Sequence, residues 1–171
     1  MFQYKTLHID DLKKYEEDIA ICFADNLQIT DSQCPLNLSN YDDRMDYLTG
    51  LINSPESMVI SILDEENEYL YGLVIFDGIR VTNDGNAAQL HVAIGKELWG
   101  KPILHIFRDM LDNFVMFNTL YCMLPAYCRP VISLVKKLGF KKTGYIPKAL
   151  PYINIKGEEK MYDELIYTYV K

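Results

Sequence analysis

Gln89-Leu-His-Val-Ala-Ile94 followed by Gly95-Lys-Glu-Leu-Trp-Gly100-Lys-Pro102 is the stretch from which the rest of the chain is best read. Its first six residues alternate as a strand does. The eight that follow make a turn of the size that surrounds a phosphate. Ile103, Phe107, Met110, Leu111 and Phe114 then recur at helical spacing and predict one apolar face on a helix reaching to about Phe117. Pro102 suits the opening turn of that helix, where its missing N–H is not needed. Further on, Thr119–Leu124 predicts a short strand. Val131, Val135 and Leu138 predict a second helix with Gly139 as its end signal, and Lys141–Ile146 predicts another strand. The order strand, turn, helix, strand, helix, strand predicts parallel strands joined by crossover helices. A helix that opens just after a strand offers backbone N–H groups and a positive dipole end to an anion.

The first half supplies the remaining layers. Phe2–Ile9 predicts a first strand, with Asp10 or Asp11 capping the helix behind it. Leu12, Tyr15, Ile19 and Cys22 or Phe23 mark the inner face of a helix over Leu12–Leu27, and Gln28–Ser39 reads as a loop. Tyr41–Ile52, capped by Asn40, predicts a helix with Met45, Leu48 and Ile52 inward. Ser57–Leu63 and Tyr69–Arg80 are β-forming, and Asn83-Asp-Gly-Asn86 turns the chain into an Ala87–Ile94 strand. Pro147–Gly157 reads as turn-rich, and Lys160–Val170 as the closing strand.

At 171 residues the chain predicts a single domain over 1–171, large enough for a core without metals or disulfides. An apolar fraction of 49% excludes a disordered chain. No apolar run approaches the ~18–20 residues of a membrane span. Met1-Phe-Gln-Tyr-Lys5 lacks a basic segment followed by an apolar block, so a cytoplasmic protein is expected. Cys22, Cys34, Cys122 and Cys128 show no Cys-x-x-Cys spacing, which fits reduced thiols, and with three scattered His they give no metal-ligand pattern. A net charge of −7 disfavours general nucleic-acid binding. The distribution of charge says more. Between Gln89 and Lys148, nine Lys or Arg face three acids, a net +6, so the remainder carries −13. A basic segment in an acidic chain fits an anionic ligand; the alternative is that Lys136, Lys137, Lys141 and Lys142 are solvated faces of a helix and a strand.

Glu97-Leu-Trp-Gly100-Lys-Pro102 resembles the acetyl-CoA turn of the Gcn5-related N-acetyltransferases, the GNAT family, whose pattern is Gln/Arg-x-x-Gly-x-Gly/Ala. Leu134-Val-Lys-Lys-Leu-Gly-Phe140-Lys-Lys-Thr-Gly144 is similar to that family's late helix and the Gly-Phe strand after it. Met161-Tyr-Asp-Glu-Leu-Ile-Tyr167 is similar to its closing strand. Leu124-Pro125 followed by Arg129 also resembles small GNAT-like proteins carried by bacteriophages. The resemblance implies an α/β protein of the GNAT fold, a central mixed sheet of six to seven strands flanked by about four helices. It implies acetyl-CoA as co-substrate, no metal, and direct transfer of an acetyl group to a small amine or a protein amine in a ternary complex. No nucleic acid and no membrane enter, and a homodimer is compatible.

On that resemblance, the pyrophosphate falls to the turn, through Trp99, Gly100, the Ile103 amide, and the charges of Lys96 and Lys101. A bulged fourth strand implies an oxyanion donor from the backbone of Val92 or Ile94. Gln89 stands where some relatives carry a Glu base, which leaves His91 or a relayed water as base. The Tyr that protonates the leaving thiolate would stand at Val135, and the Ser or Asn of a related branch at Val131 and Cys128. Tyr127, Cys128 and Ser133 are then the nearby substitutes. Glu97 and Pro102 also depart from the turn pattern, the first by its charge and the second by lacking an N–H. Asp42, Asp43 and Asp46 either attract a cationic amine or are a solvated helix start favoured by the dipole. Neither a Gly-x-Ser-x-Gly elbow nor a Gly-x-x-x-x-Gly-Lys-Ser/Thr loop is present. Two functions stay open, an N-acyltransferase and a GNAT-fold protein without catalysis that acts through protein contacts.

Overall fold

The computed structural model describes residues 2–30, 41–66, 68–113, 116–153 and 159–171, with the side chains of 26–30, 152–153 and 159 left aside. Its strands are β1 (Gln3–Thr6), β2 (Met58–Leu63), β3 (Leu70–Thr82), β4 (Gly85–Ile94), β5 (Thr119–Pro125), β6 (Lys141–Ile153) and β7 (Glu159–Val170). The helices are α1 (Ile9–Lys14), α2 (Glu16–Thr30), α3 (Tyr41–Asn53), α4 (Lys101–Asn113) and α5 (Arg129–Lys137), with a 3-10 turn at Lys96–Leu98. One sheet holds all seven strands in the order β1-β2-β3-β4-β5-β7-β6.

β1 to β4 form an antiparallel meander, closed between β3 and β4 by a two-residue turn at Asn83-Asp84, where Thr82 faces Gly85. β4 and β5 are parallel, with α4 as the crossover, as the order of elements predicts. The second crossover differs from that expectation. β6 runs in the direction of β5 but lies one place further out, because β7 inserts between them antiparallel to both.

Each face of the sheet carries its own core. On one, Ile94, Leu98, Leu120, Cys122, Leu124 and Tyr167 pack with Ile106, Phe107, Met110 and Leu111 of α4 and Val135 of α5. On the other, Leu73, Ile75 and Ala93 meet Leu12 of α1, Ile19, Cys22 and Phe23 of α2, and Leu48 and Leu51 of α3. Alternation along each strand therefore assigns every side chain to a face. Among the described residues the second core ends at Ala93 of β4 and contains no residue of β5, β6 or β7.

Several expectations are corrected in detail. His8, not Asp10 or Asp11, precedes α1, and its N–H donates to the Asp11 carboxylate at 2.9 Å. The predicted single helix breaks at the buried Tyr15 and resumes through Thr30, so the helices number five among the described residues and residues 28–30 are helical. On α3 the inward residues are Arg44, Leu48 and Leu51, while Met45 and Ile52 sit at the margin. α4 ends at Asn113; Phe117 is buried beyond it against Phe76, ring centroids 5.1 Å apart, so its apolar signal came from packing after the helix. Pro147 lies within β6, which runs to Ile153 across a register slip between Ile146 and Leu150 with Lys148 at φ 49°. Phe114, residues 31–39 and Asn40 lie outside the described residues. Among the described residues no helix is long and apolar enough to cross a membrane.

Candidate functional site

β4 and β5 pair at only three positions, Ala87 with Thr119, Ala88 with Leu120 and Gln89 with Tyr121. Both strands continue, β4 to Ile94 and β5 to Pro125, so they part towards their carboxyl ends and open the sheet. Crevices at the carboxyl ends of parallel strands are where α/β sheets receive ligands. β4 was expected to be bulged near Val92–Ile94. It is not: β3 and β4 pair without a slip from Gln89 to Ile94, and the bulge sits on β3 between Asp77 and Arg80, with Gly78 at φ 56°. The amide direction survives this correction. Gly95 N–H donates to Tyr71 O at 3.0 Å, and antiparallel alternation then turns the amides of Val92 and Ile94 to the β5 side, where the strands have separated.

The turn after β4 brings a helix start to this opening. Gly95 O accepts from Leu98 N–H and Lys96 O from Trp99 N–H, which winds Lys96–Leu98 into one 3-10 turn. Trp99 is half exposed, and its indole N–H donates to Ile94 O at 3.2 Å, tying the turn to the end of β4. Gly100 has φ +91°, a region that L side chains rarely adopt, and an added Cβ would find no heavy atom within 4 Å. Backbone is therefore bare to solvent at the N-terminus of α4. The first-turn amides of Lys101 and Ile103 have no acceptor within the helix. Lys101 is exposed there, while Ile103 packs against the core.

Lys96, a sequence candidate, and Glu97, a departure from the turn pattern, are placed differently from one another. The amide of Lys96 is taken by the Asp25 carboxylate at 2.8 Å, so Lys96 has only its exposed side chain for an anion. Glu97 folds away from α4: its Oε2 lies 2.7 Å from where a Gly95 Cβ would be, and it lines a cavity of about 190 Å³ with Asp18, Cys22, Tyr69 and Tyr71. The charge that departed from the family pattern points to the α2 side. Glu97→Gln is accordingly expected to change the affinity of an anion held at the start of α4 by less than about twofold in calorimetry, since a charge turned away from the anion is screened by solvent.

On the face shared with α1–α3 the opening is polar. Gln89 and His91 of β4 lie on it, as do Asp77 of β3, Tyr121 and Met123 of β5, and Glu164 and Ile166 of β7. Asp77 accepts from Ser57 Oγ at 2.8 Å and from Gly78 N–H at 2.7 Å, which holds its carboxylate in place. His91, opposite Ile75, is its diagonal neighbour. Burial lowers the His91 pKa below its usual value, and the Asp77 charge acts against that. The imidazole is neutral at pH 7 and able to take a proton. Glu164, only 8% exposed, has its carboxyl pushed up by desolvation. Asp77 and Glu164 were not candidates from sequence. One lies inside an apolar-rich strand and the other in the closing strand; only the register brings them to this face.

At the end of β5, Tyr127 stacks edge-on with Tyr162, ring centroids 5.0 Å apart, and is half-buried. Cys128 is the N-cap of α5, 5% exposed, and burial raises its thiol while the Val131 amide acts in the opposite sense. At 5% exposure its thiol offers little access to a leaving group. Val135 is part of the core, and Ser133 is exposed on the far side of α5. His105 is exposed on α4, and Asp42 and Asp46 are exposed in the first turns of α3 with Asp43 at the margin. Lys136, Lys137, Lys141 and Lys142 are all exposed, Lys142 over the Tyr145 ring at 5.4 Å.

No protein-family model matches the sequence, and no curated relative matches it; the likeness is structural. The spermidine N-acetyltransferase of Vibrio cholerae in complex with CoA and spermine superposes with a TM-score of 0.74 at 16% identity, over 99% of this chain and 95% of that one. A proposed phosphinothricin N-acetyltransferase gives 0.68 at 17% identity, over 99% and 98%. A dodecameric structure of the Vibrio cholerae enzyme in an intermediate state gives 0.67 at 14% identity, over 99% and 93%. These likenesses establish an α/β architecture of the GNAT fold, with its mixed sheet and flanking helices.

Proposed function

We propose that this GNAT-fold protein is an N-acyltransferase that passes an acetyl group from acetyl-CoA to a small amine within a ternary complex. One observation carries the reading: β4 and β5 part after Gln89 and Tyr121, and the exposed, positive-φ Gly100 brings the N-terminus of α4 to the open ends of those strands. An extended ligand arm fits between the strands, and an anionic group fits against bare backbone at the helix start. The solved neighbours support the same reading, since one was crystallised with CoA and spermine.

Acetyl-CoA supplies an activated acyl carbonyl and a thiolate leaving group. The protein's own residues supply the rest. The amides of Lys101 and Ile103 meet the pyrophosphate, with Lys101 adding charge. The amide of Val92, directed into the opening, donates to the carbonyl oxygen as negative charge develops there. His91, neutral and steadied by Asp77, takes the proton from the attacking amine. Tyr127 gives a proton to the sulfur; its unperturbed pKa near 10 lies little above that of a thiol, ~8.5. Tyr127→Phe is therefore expected to slow transfer by about 10²-fold with coenzyme A affinity nearly unchanged, and Cys128→Ala to have little effect on the rate. Steady-state assays beside calorimetry on both variants check this.

A second reading keeps the fold without turnover and has the protein act through protein contacts. Val135, a core residue, favours it, because the family resemblance puts the usual acid at that position. Incubation with acetyl-CoA and a broad amine panel, with free thiol as readout, separates the two. Release of thiol with any amine supports the transferase. Coenzyme A binding without thiol release supports the second reading.

A further inference from the structure

Ser57 lies in the turn between α3 and β2, and two kinds of bond tie that turn to the bulge of β3. One kind is backbone. Ile79 N–H donates to Glu56 O at 2.8 Å, while inside the turn Ser57 N–H donates to Ser54 O at 3.3 Å and Glu56 N–H to Ser54 Oγ at 3.2 Å. None of these bonds uses the Ser57 side chain. Its hydroxyl goes to Asp77 instead, donating to Oδ1 at 2.8 Å. Gly78 N–H donates to the same oxygen at 2.7 Å, from a backbone turned to φ 56°. Both donors thus meet Oδ1, and neither occupies Oδ2. Asp77 pairs with Gln89, so its side chain shares a face with Gln89 and with His91, the next residue of β4 on that face. The ionisable groups that the surrounding elements bring to this side of the sheet include Tyr15 of α1, Asp18 and Cys22 of α2, Arg44 and Tyr47 of α3, Tyr121 of β5 and Glu164 of β7. Burial lowers the His91 pKa, and Asp77 is the charge that raises it.

We propose that Ser57 is a positioning residue for the general base: its hydroxyl and the Gly78 amide hold Oδ1 of Asp77, so that Oδ2 is the oxygen that meets the His91 ring N–H when the imidazole accepts a proton from the acceptor amine. The inference rests on the transferase reading above. The arrangement is that of a base oriented by a third group. One ring nitrogen takes the amine's proton, the other keeps its own and donates it to Asp77, and no proton passes to the carboxylate. Pinning one carboxylate oxygen sets the direction of the other, which selects the tautomer whose lone pair faces the opening. The contact closes as the imidazolium forms, because catalytic hydrogen bonds tighten in the reacting complex. Since the backbone bonds clamp the turn without the hydroxyl, its loss is expected to release Asp77 and leave the fold.

The test reads the His91 pKa directly, from imidazole C–H signals titrated by NMR, with His91→Gln to tell them from those of His8 and His105. The variants are Ser57→Ala, Ser57→Cys, which keeps the size but donates weakly, and Ser57→Thr, which keeps the hydroxyl. Ser57→Ala and Ser57→Cys are expected to lower the His91 pKa, by less than Asp77→Asn does, and Ser57→Thr to leave it in place. In an Asp77→Asn background, Ser57→Ala is expected to shift it no further. With acetyl-CoA at pH 7.5, kcat/KM should fall about fivefold to tenfold in Ser57→Ala and recover in Ser57→Thr, with coenzyme A affinity unchanged. A His91 pKa that stays in place or rises in folded Ser57→Ala and Ser57→Cys overturns the proposal. So does a shift that persists in the Asp77→Asn background, since it then does not pass through the carboxylate. If no amine releases thiol in the unaltered protein, the transferase reading fails and the positioning role with it, even where the titration behaves as expected.

Discussion

Gly100→Glu is expected to abolish coenzyme A binding, a loss of about 100-fold or more, in a protein that still folds. Gly100 stands at φ +91° with open space where its side chain would be, directly before Lys101 and the first turn of α4. A glutamate there adds bulk and negative charge to a position that offers a positive dipole end to an anion. Any L residue at this φ costs about 1–2 kcal/mol of stability. Gly100→Ala shares that backbone cost without the charge or the reach, so it serves as the control. Calorimetry with thermal melts on both variants checks this: similar melting temperatures with coenzyme A binding retained only in Gly100→Ala is the expected pair of results. Unchanged affinity in folded Gly100→Glu would move the anion site away from this turn.

The next largest effect is expected at His91. His91→Gln should lower kcat/KM by about 10²–10³-fold, the usual share of a positioned general base. The pH profile carries the sharper signature. Burial lowers the His91 pKa, with the Asp77 charge only partly opposing, so the imidazole stays neutral to below its ordinary value of ~6.5. Activity that needs neutral His91 is then full above about pH 6.5 and falls on the acid side, below the limb an unperturbed histidine would give. That limb should vanish in His91→Gln. In Asp77→Asn it should move to still lower pH, because the charge that raises the His91 pKa is gone. The sign also reaches stability. Between the lowered pKa and ~6.5 the unfolded chain binds the extra proton, so His91 makes the fold less stable as pH falls through that window and contributes no pH dependence above it.

Much of the fold was readable because its signals are local. The apolar stripe of α4, the Gly139 stop after α5 and the Asn83-Asp84 turn each state their structure within a few residues. What failed was non-local. Nothing around Lys141–Val170 says that β7 returns between β5 and β6, since the pairings of Tyr167 with Cys122 and Lys142 span the chain. Pro147 reads as a turn residue, yet a bulge with Lys148 at positive φ lets β6 carry it. The site divides the same way. Gly100 and Trp99 lie within the turn motif and were visible as a string, and His91 stood out as a rare residue type. Asp77 and Glu164 are ordinary acids in sequence, and they become notable only when cross-strand register and burial set them on one face with His91. Glu97 is the converse: prominent in the motif, it turns away towards Asp18 and Cys22.

Coenzyme A titrated into the unaltered protein by isothermal calorimetry tests the central claim most directly, because the parted strands and the bare helix start serve nothing in the proposal except this ligand. A saturable isotherm with one site per chain is expected, lost in Gly100→Glu and kept in Glu97→Gln. A flat titration with the folded, unaltered protein would contradict the assignment of the opening between β4 and β5 to an acyl-CoA.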